Sequence, residues 1–166
     1  IKSDTIISYN QGNVARKPYH RVVSVESGGL KATLAPVEGV AEVANGALPT
    51  GQGFRNSIKL DVTTALASGS SNWAWLGQYI EAQDCQSVCK GTSNAKQLTL
   101  QFWVKSPKTG THTVRLDSND SNDGVGATYT VSSANTWEKK IVTFPASTSG
   151  TINDDTGRGI HVLWVL

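Results

Sequence analysis

The residue types that most often carry catalysis are scattered through this sequence. His20, His112 and His161 are far apart, and each lies on a predicted strand. His112 falls at an inward-facing position, which favours a core histidine with satisfied hydrogen bonds. Glycoside cleavage needs two carboxyl groups facing one groove, about 5–10 Å apart, and no predicted strand presents Glu-x-Asp or Glu-x-Glu on one face. The sequence therefore predicts a protein that is not an enzyme and offers no catalytic residue.

An acidic segment, residues 117–126 (DSNDSNDGVG), is the strongest candidate for binding a metal ion. Within it, Asn119, Ser121, Asp123 and Gly124 imitate the first half of a calcium loop, D-x-[DN]-x-[DN]-G. The bidentate Glu expected at the twelfth position of such a loop is replaced by Thr130. A solvated turn is the preferred interpretation, with a structural calcium ion as the alternative. No cofactor and no metal ligand are predicted.

Cys85 and Cys89 are the only cysteines, and their spacing places both on one side of a helical turn. A strained local disulfide is one interpretation. A pair of small buried thiols is preferred, since disulfide-dependent secreted domains are smaller and richer in cysteine. Two sulfur atoms with no nearby histidine do not complete a tetrahedral zinc site.

Tryptophan is unusually frequent, with five Trp against three Phe. Flat exposed aromatic rings are platforms on which sugar rings stack. Trp103 is the leading candidate because strand alternation sends it to a polar face beside Gln101 and Lys105, whose side chains could hydrogen-bond hydroxyl groups. Trp137 begins another predicted strand and is the second candidate. The alternative, which we favour, is that Trp103 is covered by a loop, the N-terminal arm or a neighbouring subunit.

The segment that positions these side chains is residues 97–107, QLTLQFWVKSP. Strand side chains alternate between the two faces of a sheet. One face is therefore predicted to be core, formed by Leu98, Leu100, Phe102 and Val104. The opposite face is polar apart from Trp103, and Pro107 with Gly110 ends the strand in a turn.

Short alternating segments recur along the rest of the chain, separated by clusters of Gly, Asn, Asp and Ser. They predict strands over residues 20–26, 30–34, 37–43, 54–62, 73–80, 111–116, 127–131, 137–144 and 159–166, with one short helix over residues 81–90 that ends at Gly91. The predicted fold is all-β, a two-sheet antiparallel β-sandwich of the jelly-roll type. Residues 1–19 are predicted to be an N-terminal arm or edge strand, and residues 20–166 the sandwich domain.

Composition narrows the range of partners. Fifteen Lys and Arg against 13 Asp and Glu give a net charge of +2, which is too weak and too evenly spread to indicate nucleic-acid binding. No apolar run approaches the ~18 residues of a spanning helix, so no membrane insertion is predicted. The chain contains no Met and stops within an apolar run, IHVLWVL, which favours a segment of a longer polypeptide.

Four features of the second half suggest a relationship. They are the FWVKS strand (residues 102–106), the strand that follows Gly110, the NTWEKK strand start (residues 135–140), and the apolar last strand after a glycine-containing turn. Together, over residues 79–166, they are similar to a jelly-roll domain common in bacteriophage tail fibres and related virion proteins, which itself resembles carbohydrate-binding modules. The resemblance implies a virion structural or adhesion role and suggests glycan binding.

The resulting functional prediction is a non-enzymatic phage virion protein of a tail fibre, spike or capsid-attached appendage. Its expected partners are other virion proteins or copies of itself in a homo-oligomer, with surface glycans as ligands, and its expected location is the extracellular virion. The alternative is a carbohydrate-binding module attached to a polysaccharide-degrading enzyme, and a third reading is a depolymerase with a site shared between subunits.

Overall fold

The structure is a computed structural model that describes residues 5–8, 32–38, 56–62 and 75–165, with side chains described for residues 75–165. Within these ranges the chain forms nine strands and one short 3₁₀ helix. The strands are β1 Thr5–Ser8, β2 Ala32–Glu38, β3 Asn56–Val62, β4 Trp75–Glu81, β5 Leu98–Lys105, β6 Gly110–Ser118, β7 Asp123–Val131, β8 Glu138–Phe144 and β9 Arg158–Val165, and the helix is Ala82–Val88.

The strands form two sheets in which every pairing is antiparallel. The first sheet has the order β2-β3-β1-β5-β8 and the second has the order β4-β9-β6-β7. The inward faces of the two sheets pack against each other around a common apolar core. The predicted all-β, two-sheet antiparallel sandwich with one short helix is therefore confirmed.

The core is centred on Phe102 of β5. Its ring is 1% exposed and meets Tyr129 and Trp164 of the second sheet edge to face, with ring centroids 5.0 and 5.6 Å apart. Edge-to-face contacts of this kind contribute about 0.5–1.5 kcal/mol beyond the area they bury. Val104 is fully buried beside Phe102, as the alternation in β5 predicts.

The other two positions of the predicted core, Leu98 and Leu100, are only half-buried. Leu100 packs against the buried core. Leu98 points inward and, with Leu116 of β6, lines a cavity near one end of the sandwich. Strand alternation correctly predicts the direction of these side chains. It does not predict how closely the two sheets approach each other at each level of the sandwich.

The short helix is a 3₁₀ helix that ends at Val88, with Cys89 as its C-cap, earlier than the predicted end at Gly91. Cys89 is left-handed, with φ 54°, and its N–H donates to Gln86 O at 3.1 Å. Both cysteines are free, as predicted, but only Cys85 is buried, whereas Cys89 is half-buried. Burial raises the pKa of the Cys85 thiol, which keeps it protonated.

Within the predicted N-terminal arm, β1 pairs on both sides. Ile7 has Ile58 of β3 and Val104 of β5 as its register partners. This segment is therefore an interior strand of the first sheet and not an edge strand. The four residues of β1, TIIS, contain two adjacent isoleucines and show no alternation of apolar and polar residues. The sequence pattern therefore does not predict an interior strand here. The remaining residues of the arm lie outside the described residues.

One strand, β2, runs through the gap between two predicted strands. It joins the ends of the segments predicted over residues 30–34 and 37–43 and passes through Pro36, while residues 39–43 lie outside the described residues. Among the described strands β2 pairs only with β3, which makes it an edge strand, the position in which a strand tolerates proline. The strand predicted over residues 20–26 lies outside the described residues, whereas β3 falls within the strand predicted over residues 54–62.

Candidate functional site

The polar face of β5 is the outer face of the first sheet. Gln101 is exposed there, and Trp103 and Lys105 are half-buried. Trp103 has Lys139 of β8 as its register partner on one side and Ser8 of β1 on the other. The indole ring is therefore carried by an interior strand, where hydrogen bonds on both sides hold the backbone in place.

Strand β8 extends this face beside Trp103. Ile141 lies opposite Gln101 and is 61% exposed, although it is a large aliphatic side chain. Lys139 is exposed, and neither Lys139 nor Lys105 has a salt-bridge partner within residues 75–165. The face therefore combines an aromatic ring, an exposed aliphatic group and two cations that have no anionic partner among residues 75–165.

Trp137 lies next to this face and not at its centre. It directly precedes β8, whose pairing begins with Glu138 opposite Val104, and this places Trp137 level with Lys105. Its side chain is half-buried, and its Nε1 is shielded from solvent without a hydrogen-bond partner among the described residues. The structure therefore brings Gln101, Trp103 and Lys105 together, with Trp137 at their border.

The loop before Trp137 is fixed by Glu138, which points inward. Its carboxylate accepts the Ser132 N–H at 2.9 Å and the Ser133 N–H at 2.7 Å, and it pairs with Lys140. Burial raises the pKa of Glu138, but the hydrogen bonds from Lys140 and these backbone groups outweigh burial, so the pKa lies below its usual value. Glu138 therefore holds the loop in place and is not directed to a ligand on the outer face.

The acidic segment closes the β6–β7 hairpin. Its turn is confined to residues 119–122, and β7 already begins at Asp123, because Gly124 and Gly126 pair with β6 instead of forming the predicted longer loop. The Asp123 carboxylate is held by Lys90 Nζ at 2.8 Å and accepts the Ser121 hydroxyl at 2.7 Å. These hydrogen bonds lower the pKa of Asp123.

Lys90 thus supplies the cation that this carboxylate pairs with. Within residues 75–165, no three His, Cys, Asp or Glu side chains are close enough to hold a metal ion. The resemblance to a calcium loop in the sequence therefore corresponds to a hairpin turn fastened by a lysine.

The outer face of the second sheet carries an aromatic cluster that the sequence interpretation missed. Tyr79 of β4 stacks on His161 of β9 with ring centroids 3.9 Å apart, and the Arg158 guanidinium lies 4.3 Å from the centroid of the Tyr79 ring. Gly77 makes room for the stack, since a Cβ there would lie 2.3 Å from His161 Nε2. Both aromatic residues were visible in the sequence, but the register of β4 against β9 was not.

His161 is kept neutral by this environment. Burial lowers its pKa, the nearby Asp117 carboxylate raises it, and Arg158 lowers it again, with a net decrease.

His112 lies on the inward face and stacks on Tyr129 with ring centroids 5.5 Å apart, but its Nε2 has no hydrogen-bond partner among the described residues. The prediction of a core histidine with satisfied hydrogen bonds is therefore wrong in its second part.

The described residues include no helix that is long and apolar enough to cross a membrane. Comparison of the chain with protein-family models, with curated proteins and with solved structures finds no match.

Proposed function

We propose that this chain is a non-enzymatic domain of a phage virion, in a tail fibre, spike or capsid-attached appendage, and that it contacts host-surface glycans through the outer face of the first sheet. The observation that carries the proposal is Trp103, which lies on the solvent side of an interior strand with Gln101 and Lys105 on the same face. The virion context is supported by the resemblance of residues 79–166 to tail-fibre domains.

The chemistry of the face suits a sugar ring. An indole offers a flat apolar surface that loses little conformational entropy on binding, because it has only two side-chain torsions. Gln101 supplies an amide donor and acceptor, and Lys105 with Lys139 supplies ammonium donors for hydroxyl or anionic groups. Ile141, which is 61% exposed beside Gln101, extends the apolar part of the contact.

A single face of this size supports weak binding, and a virion compensates for weak binding by copy number. When several copies are displayed on one particle, each later contact becomes intramolecular and the total affinity rises by about 10²–10⁴. The expected partners are therefore copies of the same chain or other virion proteins that hold the domains in a fixed arrangement.

The test is a glycan array probed with wild type, Trp103→Ala and Thr143→Ala. Thr143 is an exposed residue of β8 opposite Thr99, four register pairs along the strand from Trp103, so its replacement controls for a general change of the face. We expect wild type and Thr143→Ala to bind the same glycans, and we expect Trp103→Ala to show no binding to these glycans. Equal binding by Trp103→Ala would overturn the glycan role of this face.

The same three proteins should be examined by analytical ultracentrifugation. If Trp103→Ala changes the oligomeric state and leaves glycan binding intact, the face is a subunit contact. If the wild-type protein binds glycans as a monomer, the carbohydrate-binding module of an enzyme becomes the better description.

A further inference from the structure

A cavity of about 440 Å³ lies between the two sheets, near the end where β5 begins and β8 ends. This volume is within the range of about 300–1,000 Å³ that is typical of small-molecule sites. The cavity is at the opposite end of β5 from Lys105 and lies between the sheets. It is therefore separate from the outer face around Trp103.

The walls of the cavity are apolar over much of their extent. Phe144 and Ile160 are buried, whereas Leu98, Leu116 and Val125 are only half-buried because their inward faces border the cavity. The half-exposure of these inward side chains is unfavourable, at about 25 cal/mol for each Å² of apolar surface left in contact with water. An apolar group that filled the cavity would remove this cost.

One side of the cavity is held in place by Lys90. Its side chain is 12% exposed, and its ammonium donates to Asp123 Oδ2 at 2.8 Å, Ser121 Oγ at 3.2 Å and Ser149 O at 2.6 Å. It thereby joins the segment after the helix, the β6–β7 hairpin and the loop between β8 and β9. All three protons of Lys90 are used, so this residue shapes the cavity and has none left to donate to a ligand.

The remaining polar groups of the wall differ in whether they already have partners and in whether a ligand can reach them. The Asp123 carboxylate is paired with Lys90. The Asp117 carboxylate lies on the outer face of the second sheet, where it pairs with Arg115 at 3.0 Å. The Ser118 hydroxyl is shielded from solvent and is therefore not open to a ligand in the cavity. Lys96, at the cavity edge, has no salt-bridge partner within residues 75–165.

The Asp123 carboxylate that lines the cavity therefore already has a cationic partner, whereas the ammonium group of Lys96 has no anionic partner among the described residues. The complement of such a site is a ligand with an apolar body and a head group that accepts hydrogen bonds and carries negative charge. A sugar fits less well, because its many hydroxyl groups would face Leu98, Leu116, Val125 and Phe144 without partners.

We propose that the end cavity between the sheets binds a small amphipathic carboxylate, with its aliphatic or aromatic body against the apolar walls and its carboxylate towards the ammonium group of Lys96.

The test is calorimetric titration of the purified chain with octanoate, with 1-naphthoate and with octanol. Octanol matches the chain length of octanoate but lacks the charge, and the two acids distinguish an aliphatic from an aromatic body. We expect saturable binding of at least one acid, accompanied by a rise in melting temperature that grows with ligand concentration. Octanol should bind more weakly than octanoate. Absence of saturable binding by both acids would overturn the proposal.

Two variants locate the site. Ala146→Trp changes an exposed residue of the lining loop, so it should obstruct the cavity without disturbing the core. Its melting temperature without ligand verifies that the variant folds.

Lys96→Gln removes the charge and should weaken acid binding about two- to fivefold, the range of an exposed ion pair. Lys108→Gln, at the exposed turn after β5, is the matched control. Acid binding by folded Ala146→Trp equal to wild type, or an unchanged affinity in Lys96→Gln, would contradict the assignment.

Discussion

Phe102 and Trp103 are neighbours in β5 but have opposite roles. Phe102 faces the second sheet and is 1% exposed, whereas Trp103 faces outward and is half-buried. The difference follows from the two-residue period of a strand, which sends adjacent side chains to opposite faces. The same period places His161 on the outer face of the second sheet and Trp164 in the core. Direction was thus predictable for single residues, but contact partners were not.

His161 gives a prediction about pH. Its pKa in the folded protein lies below the model-compound value of 6.5, since burial and Arg158 oppose protonation more than Asp117 favours it. The unfolded chain therefore binds a proton at higher pH than the folded chain does. The stability that His161 contributes is fully present above pH 6.5 and is lost as the pH falls from there towards the folded pKa.

We expect the urea midpoint of the wild-type protein to fall between pH 7.5 and pH 5.5, and this decrease to be smaller in His161→Gln. The imidazole proton resonances of His161, followed by NMR across the same pH range, report its pKa directly. A His161 pKa at or above 6.5 would show that burial and Arg158 do not favour the neutral ring.

At the scale of elements, the 3₁₀ helix is docked against the start of β9. Ala82 N–H donates to Gly157 O at 3.0 Å and Gln83 N–H donates to Asp155 O at 2.9 Å. Close approach requires glycine at position 159, because a Cβ there would lie 2.6 Å from the Cα of Ala82. The sequence predicted both the helix and the glycine-containing turn, but not that they touch.

Replacement of two glycines measures this contact. Gly159→Ala should destabilise the protein by about 1–3 kcal/mol, the usual cost of overpacking, because backbone atoms must move. Gly126→Ala is the matched control, since its Cβ would meet its nearest neighbour, Arg115 Cγ, at 3.7 Å, an ordinary contact. Urea unfolding gives both values. If the two variants were equally stable, the helix would not be held against β9 as described.

At the scale of the whole molecule, the first sheet is closed by a strand from the beginning of the chain. β1 lies between β3 and β5, and Ile7 is the register partner of both Ile58 and Val104. Contacts between segments so distant in sequence are entropically costly to form, and they make folding slow. The structure of the sandwich therefore depends on residues within the segment predicted to be an arm or edge strand.

Removal of residues 1–8 tests the role of β1. We expect the shortened chain to lose its cooperative thermal transition or to melt at a much lower temperature, because β3 and β5 would each expose an unpaired edge. A synthetic peptide of residues 1–8, added in trans, should restore stability in proportion to its concentration. A shortened chain that melts like the full chain would show that β1 is dispensable for the fold.

From the amino-acid sequence alone one can predict the fold class, the positions of most strands in the second half, and the faces to which their side chains point. These properties depend on local alternation and on turn residues, which can be seen within a few positions of the chain. The three-dimensional structure was needed to find the position of β1, the stack of Tyr79 on His161, the Lys90–Asp123 pair and the cavity at the end of the sandwich. Each of these depends on the register and spacing of segments far apart in the chain, and a local pattern does not encode either.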